Sequence, residues 1–342
     1  MIIIRAEDIQ SIENQKRIQQ TIKKGGLVVF PTETVYGIGA DATNPEAVKK
    51  IFEAKGRPTD NPLIVHLAFQ KDLDQCVLSI PELAYPLMTQ FWPGPLTLVF
   101  KKKTIIPPEV SGGLDTVGIR IPSSEVARDV IRAAGVPICA PSANLSGKPS
   151  STLFKHVLED FSGKVDIMID GGQVSIGLES TVLDLTTPIP VLLRPGAITK
   201  KMIEETLHMG IMDATHEEVR DIPKSPGMKY THYAPKGEVN IIEGSFEHVV
   251  TYINQQVRIY QPDEVGVIAP NEYMQSISAH YKVNLGSLTN LNEVAKNIFL
   301  ALRQMDALKI KIILIPALPA EDLGQAIMNR LTKAAGHRII HV

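Results

Sequence analysis

The chain has 342 residues, a length that allows two domains because single hydrophobic cores rarely grow beyond about 250–300 residues. With 44% hydrophobic and 21% charged residues, the composition excludes a disordered or fibrous protein. The formal net charge of −2 argues against binding nucleic acid through the overall electric field, which usually requires a strongly basic protein.

The first 208 or so residues alternate apolar, strand-like runs with amphipathic helical patterns. Strands are predicted at 26–30, 62–68, 96–100, 116–121, 136–140, 165–169, 181–185 and 190–193. Helices are predicted at 45–54, 82–91, 125–134, 151–161 and 199–208. Asn44 before Pro45 favours a helix start at this point, because it offers a capping amide ahead of a proline at the first helical position. We therefore predict a large mixed α/β sheet domain over residues 1–209.

Residues 210–237 are poor in apolar residues and contain several prolines and glycines, which predicts a linker. A structureless segment of this length is either a tether or a functional lid. Residues 238–342 resume an alternation of strands (239–242, 265–269 and 310–315) with helices (246–256, 290–305 and 321–334). This order predicts a second, smaller domain with a parallel sheet.

Two further features bear on the compartment. No apolar run reaches the roughly 18 residues that a membrane span needs, and the first residues meet Arg5 and Glu7 too soon for a signal peptide. We expect a cytoplasmic protein. Cys76 and Cys139 lie far apart and belong to no C-x-x-C or histidine cluster, so we expect two buried, reduced thiols and neither a disulfide nor a structural zinc.

Several nucleotide and hydrolase signatures can be excluded. No G-x-x-x-x-G-K-[ST] loop, H-E-x-x-H or G-x-S-x-G motif occurs. Residues 37–42 (GIGADA) match the loose G-x-G-x-x-[GA] dinucleotide pattern, but in that motif the helix opens inside the glycine run. Here the predicted cap is later, at Asn44, so we do not assign a dinucleotide site.

Polar residues at predicted strand boundaries are the remaining candidates for a site. Residues 31–37 (PTETVYG) follow a strand, which fits either ligand contact at a sheet edge or a polar turn. His66, inside an apolar strand, is either a core histidine or a side chain aimed into a pocket. Arg120 also lies in an apolar strand and needs an anionic partner, which could be a substrate carboxylate or a structural Asp or Glu.

Four more segments share this character. Lys55 and Arg57 flank Gly56 at a predicted helix end, where they either stabilise the helix dipole or bind an anion. Residues 140–150 place hydroxyl and amide groups after a strand, where open α/β sheets usually bind ligands, and the alternative is a simple turn. Residues 179–181 and 193–196 repeat the pattern. Such a set suits binding and orienting anionic substrates more than covalent catalysis.

Taken together, residues 31–37 (PTETVYG), 55–57 (KGR), 142–144 (SAN), 180–181 (ST) and 194–196 (RPG) resemble the YrdC/Sua5 family of L-threonylcarbamoyladenylate synthases. Residues 225–235 (SPGMKYTHYAP) are similar to the linker signature of the two-domain Sua5 type. The K-x-R and S-x-N motifs also resemble a domain of hydrogenase-maturation carbamoyltransferases, which carry additional cysteine-rich zinc modules that two cysteines cannot supply.

The resemblance implies a twisted mixed-sheet catalytic domain with a concave, positively charged face, followed by a small Rossmann-like domain. It implies a nucleotidyltransferase that makes L-threonylcarbamoyl-AMP and pyrophosphate from L-threonine, bicarbonate or CO2, and ATP. The product would serve the t6A modification of tRNA at position 37, completed by a separate threonylcarbamoyl transferase. Direct binding of tRNA would be weak or absent, and Mg²⁺ would be held mainly through the ATP phosphates.

The resemblance also assigns residues. Lys55, Arg57, Ser142 and Asn144 would form the catalytic, anionic centre. The residues that would bind L-threonine, with Arg120 pairing its carboxylate, are Thr34, His66, Arg120, Ala140 and Ser180. The residues that would bind ATP are Arg57, Asn61, Thr116, Ser142, Ser150, Arg194 and Tyr233. The linker would carry Tyr233 and close over the nucleotide, so deletion of residues 225–235 should impair synthesis in a folded protein.

Two other functions remain open at this point. One is a non-catalytic RNA-binding protein that uses a basic concave face, and the other is a domain that carbamoylates and adenylates an amine other than threonine. The salt dependence of RNA binding tests the first. Dependence of pyrophosphate release on threonine tests the second.

Overall fold

The chain forms two compact units in the computed structural model, which describes residues 1–59, 61–215 and 233–342. Among these residues, the first unit comprises 1–59, 61–146, 151–175 and 179–215, and the second comprises 147–150, 176–178 and 233–342. Most of the predicted linker, including 225–232 of its signature, lies outside the described residues. The lid hypothesis concerns this segment, so it also falls outside the described residues.

The first unit carries a sheet whose strands come from its whole length. They are β1 (Ile2–Arg5), β2 (Val28–Pro31), β3 (Tyr36–Asp41), β4 (Ile64–His66), β5 (Leu96–Lys101), β6 (Thr116–Arg120), β7 (Ile138–Cys139), β8 (Ile167–Asp170), β9 (Thr181–Asp184), β10 (Val191–Arg194) and β11 (Met212–Asp213). The helices between them are α1 (Ile12–Lys23), α2 (Pro45–Lys55), α3 (Ala84–Phe91), α4 (Pro108–Ser111), α5 (Glu125–Ala134), α6 (Phe154–Phe161) and α7 (Lys200–Leu207), with 3-10 turns at Ala6–Asp8 and Gln70–Gln75.

These strands pair in the order β1-β8-β2-β3-β7-β4-β6-β5-β9-β10-β11, with both parallel and antiparallel neighbours. The mixed sheet confirms the predicted fold class. The sequence left open whether the segment from Pro31 to Gly37 contacts a ligand at a sheet edge or forms a polar turn. It forms the turn between β2 and β3, which stand inside the sheet between β8 and β7. Gly39 permits this because an added Cβ would lie 2.7 Å from the Phe30 ring on β2.

Two hydrophobic cores cover the two faces of this sheet. On one face, α2, α3, α6 and α7 pack against alternate residues of the central strands, for example Val65, Leu98 and Ile119. On the other face, α1 and α5 cover β1, β8, β2 and β7. Over β4, β5 and β9, the described residues of that second face form a small cluster that includes Ile64, Val99 and Val182. His66 and Arg120 lie on the same face, since they pair two residues beyond Ile64 and Gly118.

Helix α2 illustrates how the sequence sets a local structure. The Asn44 side chain accepts hydrogen bonds from the backbone N–H groups of Glu46 and Ala47, as the cap prediction requires. The helix ends after Lys55, because Gly56 adopts φ +62°, a left-handed conformation that glycine takes without strain. The helix therefore begins beyond the 37–42 segment, most of which forms β3, in agreement with our rejection of a dinucleotide motif.

The second unit contains a five-stranded sheet in the described residues, with the order β14-β13-β15-β12-β16 and all pairs parallel. Its elements are β12 (Glu238–Glu243), α8 (Phe246–Ile259), β13 (Val265–Ala269), α9 (Asn271–Met274), β14 (Tyr281–Asn284), α10 (Leu291–Ala307), β15 (Ile312–Pro316), α11 (Leu323–Ala334) and β16 (Ile339–His341). This confirms the predicted small parallel α/β sheet.

Both cysteines are free and buried, as expected. Burial raises the pKa of the Cys76 thiol to about 11 and that of the Cys139 thiol further still, so neither is a reactive thiolate at neutral pH. Within the described part of the chain, no helix is both long enough and apolar enough to cross a membrane.

Candidate active site

Four neighbouring strands bring polar residues to one face of the large sheet, and three of these residues were predicted for the site. His66 on β4 is in register with Arg120 on β6, so both side chains share a face. Thr97 on β5 belongs to the same face, since Val99, two residues on, pairs with Gly118. Ser180, just before β9, reaches Thr97, with their hydroxyl oxygens 2.8 Å apart. The face therefore carries polar residues beside its small apolar cluster.

Arg120 is buried, and each of its three side-chain nitrogens makes a polar contact. Its Nε donates to the Gly94 carbonyl oxygen at 3.2 Å, and its Nη1 donates to the Thr34 hydroxyl at 2.9 Å. Its Nη2 lies 2.6 Å from Oε1 of Glu33, which is also buried. The structure thus supplies the carboxylate partner that the sequence left open. Binding of a substrate carboxylate by Arg120 stays a prediction.

His66 is a neutral imidazole inside this charged cluster. It is 4% exposed, and its Nδ1 lies 3.1 Å from the Ile64 carbonyl oxygen. Burial and the nearby charge of Arg120 lower the pKa of His66 to about 3, although Glu33 opposes the effect. A hydrogen bond from Nδ1–H to Ile64 assigns the proton to Nδ1, which leaves Nε2 as an acceptor for a hydroxyl or ammonium group.

Ala140 lies beside this cluster. Its backbone N–H donates to the same Ile64 carbonyl oxygen at 2.9 Å. Its methyl group lies opposite Gly37, where an added Cβ would approach to 3.3 Å. Of the five residues predicted to bind threonine, four lie on adjacent strands and turns, namely Thr34, Arg120, His66 and Ala140. The fifth, Ser180, joins them through Thr97.

Arg194, which is predicted to bind ATP, contacts Ser180, which is predicted to bind threonine. Its Nε and Nη2 donate to the Ser180 carbonyl oxygen and hydroxyl at 3.0 and 3.1 Å. Both residues are buried. The contact explains why the S-T and R-P-G motifs occur together: they lie on β9 and β10, an antiparallel pair, and the arginine fixes the serine hydroxyl.

Gly196 allows this hairpin to close. A Cβ at this position would lie 2.5 Å from the Thr181 backbone nitrogen and 2.7 Å from its hydroxyl oxygen. The Thr181 hydroxyl in turn donates to the Ile198 carbonyl oxygen at 2.7 Å. The glycine of the R-P-G motif is therefore required by close backbone approach.

Lys55 anchors the loop that holds Ser142 and Asn144. Its Nζ donates to the carbonyl oxygens of both residues, at 2.7 Å for Asn144, and its own carbonyl oxygen accepts the N–H of Ser146. The Ser142 hydroxyl donates to Oδ1 of Asn144 at 2.6 Å. The K-x-R and S-x-N motifs are thus in direct contact, and Lys55 as a whole is 2% exposed.

Three further candidates belong to the first unit. Arg57 is half-buried and follows the left-handed Gly56. Thr116 begins β6, four residues before Arg120, a distance of about 13 Å along a strand. Asn61 is fully buried, and its amide makes no hydrogen bond within the described residues. A buried amide of this kind is unusual and marks a position suited to a ligand.

Two predicted ATP residues belong to the second unit. Ser150 is fully buried and lies in the 147–150 segment, where Arg303 on α10 holds the neighbouring Pro149 carbonyl oxygen through Nε and Nη2 at 3.0 and 2.7 Å. Tyr233 is buried with φ +67°, and its ring centre lies 5.1 Å from that of Phe299. Both are well-packed positions within that unit.

The described residues contain no group of three or more His, Cys, Asp and Glu side chains arranged for a metal ion. In the described ranges, these side chains therefore offer no preformed cluster for a Mg²⁺ ion. Phosphate oxygens and water are the ligands that Mg²⁺ prefers at nucleotide sites.

Comparison with known proteins assigns the chain to a family. The sequence model of the Sua5/YciO/YrdC family, described as "Telomere recombination", matches residues 20–196. A second model, described as "Threonylcarbamoyl-AMP synthase, C-terminal domain", matches residues 198–336. The chain belongs to the Sua5/YrdC family. Both models together identify it as a member of the two-domain Sua5 type.

Relatives of the two-domain Sua5 type match along nearly the whole chain. The threonylcarbamoyl-AMP synthase of Pyrococcus abyssi is 48% identical over 324 residues, 94% of each chain. That of Bacillus subtilis is 47% identical over 322 residues, covering 93% of this chain and 92% of the relative. The crystal structure of P. abyssi Sua5 complexed with L-threonine aligns with a TM-score of 0.92 and 46% identity, covering 100% and 99% of the two chains. Like these Sua5 relatives, the chain is an enzyme.

Two residues of the candidate site were not assigned by sequence reasoning. Glu33 was noticed only as part of the 31–37 motif, and Thr97 was read as part of an apolar strand. A hydroxyl in the run Leu96–Lys101 gives the same signal as Arg120 in β6, namely a polar residue in an otherwise buried strand. That signal could have identified Thr97.

Proposed function

We propose that this chain synthesises L-threonylcarbamoyl-AMP and pyrophosphate from L-threonine, bicarbonate or CO2, and ATP. The observation that carries the proposal is the buried face on which Arg120, Thr34 and His66 adjoin Ser180 and Arg194. It offers a cation, hydroxyls and a neutral imidazole, groups that match the carboxylate, amine and hydroxyl of threonine. A relative of 46% identity has been crystallised with L-threonine, which supports the choice of substrate.

The chemistry divides into two steps. The threonine amine adds to CO2 and loses a proton, which gives a carbamate. A carbamate oxygen then attacks the α-phosphorus of ATP, and pyrophosphate leaves with the electron pair of the broken P–O bond. Both reactants of the second step are anions, so the site must hold them together against their repulsion and stabilise the leaving group.

The residues of this chain would divide these tasks. Arg120, Thr34, His66, Ala140 and Ser180 would bind threonine. Arg57, Asn61, Thr116, Ser142, Ser150, Arg194 and Tyr233 would bind ATP. Lys55 would act through Ser142 and Asn144, because its ammonium group holds the carbonyl oxygens of both. The Arg194–Ser180 contact would place the two substrates side by side, as in-line attack requires.

Mg²⁺ would enter as part of the substrate, bound to the ATP phosphates. It would neutralise charge on the phosphates and on the departing pyrophosphate. The product is a reactive mixed anhydride that a separate transferase would use for the t6A modification of tRNA at position 37, in the cytoplasm. In this view the chain serves tRNA by making a small molecule, with little or no direct tRNA binding.

Pyrophosphate release tests this proposal. The protein is incubated with ATP, Mg²⁺, bicarbonate and one amino acid at a time, and release should require both threonine and bicarbonate. Arg57→Ala should abolish release while the protein stays folded. Release with another amine instead of threonine would identify a different substrate, and RNA binding that survives moderate salt without any release would favour the RNA-binding alternative.

A further inference from the structure

Glu33 and Arg120 form a buried ion pair with unused hydrogen-bonding capacity. The Oε1 of Glu33 and the Nη2 of Arg120 lie 2.6 Å apart. Apart from this contact, neither atom has a hydrogen-bond partner among the described residues. Because Nη2 carries two N–H groups and a carboxylate oxygen has two lone pairs, each atom can make one further hydrogen bond, to a ligand.

The other contacts of both side chains hold them rigidly in place. Oε2 of Glu33 accepts the backbone N–H of Ser124, the capping residue of α5, at 3.3 Å. The Ser175 hydroxyl donates to the Glu33 carbonyl oxygen at 3.3 Å. Arg120 is fixed by its bonds to Gly94 and Thr34. One anion and one cation thus stand side by side in a prearranged geometry.

The charge state of the cluster is definite at neutral pH. Burial raises the pKa of Glu33, but the charge and hydrogen bonding of Arg120 lower it more, and the carboxyl group stays ionised. His66 beside them is neutral. The buried cluster therefore has one negative and one positive group and no net charge.

A free α-amino acid has the complementary arrangement. Its ammonium and carboxylate groups are joined through a single carbon atom, so an anion and a cation in contact can bind both at once. Because the cluster and the zwitterion are each neutral, binding adds no net charge to a buried site, where an unpaired charge is costly. We propose that Glu33 binds the α-ammonium group of the amino-acid substrate while Arg120 binds its α-carboxylate.

This inference rests on the proposed function for the choice of threonine. It makes Glu33 a specificity residue that selects α-amino acids over hydroxy acids of similar shape. A carboxylate without the amine would place a second negative charge beside Glu33, with no ammonium to compensate. The wild-type site should therefore discriminate strongly against such an anion.

The test compares the binding of L-threonine and 3-hydroxybutyrate, which keeps the carboxylate and hydroxyl but lacks the amine. Calorimetry on the full chain should show that Glu33→Gln weakens threonine binding about 10- to 100-fold, the range for loss of a charge-assisted hydrogen bond. Binding of 3-hydroxybutyrate should stay unchanged or improve. Exposed Glu82 provides the control, and Glu82→Gln should bind both compounds as the wild type does.

Glu33→Asp covers the case in which the uncharged variant fails to fold. It keeps the negative charge at a greater distance, so it should retain discrimination between the two compounds with weaker threonine binding. Equal loss of affinity for threonine and 3-hydroxybutyrate in the folded variants would overturn the inference, since a structural role predicts that result. Absence of threonine-dependent pyrophosphate release in the wild type would instead refute the proposed function.

Discussion

Lys55 donates a 2.7 Å hydrogen bond from Nζ to the carbonyl oxygen of Asn144. The sequence left two roles open for this lysine, a helix-end cation or an anion-binding group, and the structure shows a third. The ammonium group joins the end of α2 to the loop at 142–144, so the lysine positions the S-x-N motif. Its charge remains part of the site electrostatics, but its donors are directed at backbone carbonyl oxygens.

Replacement of Lys55 by methionine should reduce both stability and synthesis. The change keeps the length of the side chain but leaves two carbonyl oxygens, on Ser142 and Asn144, without their donor. We expect the free energy of unfolding to fall by about 2–3 kcal/mol. Urea unfolding followed by the fluorescence of Trp92, the chain's single tryptophan, reports on the first unit.

Lys49 on the same helix provides the matched control, because its side chain is 45% exposed. Lys49→Met should leave stability and pyrophosphate release within experimental error of the wild type. If Lys55→Met behaved in the same way, the contacts with the 142–144 loop would have no energetic role and the lysine would be a helix-end residue after all.

Substitution of Thr97 should affect the KM for threonine and not the KM for ATP. Its hydroxyl is buried and lies 2.8 Å from the hydroxyl of Ser180, which Arg194 also contacts. Thr97→Val keeps the shape and removes this partner, at a cost of about 1 kcal/mol, or roughly a fivefold rise in the KM for threonine. The KM for ATP should stay constant. Steady-state pyrophosphate assays separate the two constants.

The control for Thr97 is Thr89, an exposed threonine on α3. Thr89→Val should leave both Michaelis constants unchanged. A rise in the KM for ATP alone in Thr97→Val would contradict the arrangement, because it would place Ser180 on the nucleotide side of the site.

The fold was largely predictable where the sequence patterns were strong. The apolar runs of β5 and β6, and the cap and proline of α2, gave the correct elements. Strand β1 was missed because three of its four residues are exposed and it pairs on one side only. Helix α1 was missed because only Ile18 and Ile22 are buried in an otherwise polar sequence. In β3 the glycines concealed a strand that needs them for packing against Phe30.

The partners of the site residues, in contrast, could not be predicted from the sequence. Residue type alone indicated that Arg120 needs an anion, but the choice between a substrate and Glu33 depended on a turn far away in the sequence. Lys55 was assigned to the site from the resemblance alone, whereas its contact with the 142–144 loop depends on how a helix end meets a strand end. Burial of charged residues indicates that partners exist, and only the fold specifies which ones they are.

The stability of the first unit should depend on the protonation of His66. Its pKa is about 3 in the folded state and near 6.5 in the unfolded chain, so the unfolded state binds more protons between these values. Stability should therefore fall as the pH decreases through this window, by about 1.4 kcal/mol per pH unit below 6.5. Between pH 7 and pH 5 the loss from this group is about 2 kcal/mol.

Urea unfolding at pH 7 and pH 5, monitored through Trp92, measures this loss. His66→Gln cannot be protonated, so its stability should change by about 2 kcal/mol less than that of the wild type over the same interval. His208→Gln, at an exposed position in the first unit, should retain the wild-type dependence. The lowered pKa of Glu33 acts below about pH 4.5 and does not contribute in this range. Identical pH dependence in wild type and His66→Gln would refute a neutral, buried imidazole.

Gly196 should tolerate no side chain, although it looks like an ordinary turn glycine in the sequence. A methyl group would lie 2.5 Å from the Thr181 backbone nitrogen, so the β9–β10 hairpin would have to open. Gly196→Ala should lower the free energy of unfolding by about 1–3 kcal/mol, the cost of overpacking, and raise the KM for threonine because Ser180 precedes β9. Gly210→Ala is the control, since the nearest atom to its added carbon is the Glu204 carboxylate oxygen at 3.8 Å. Its stability should stay within about 0.5 kcal/mol of the wild type. Equal effects of the two substitutions would show that hairpin closure at Thr181 does not determine the geometry of Ser180.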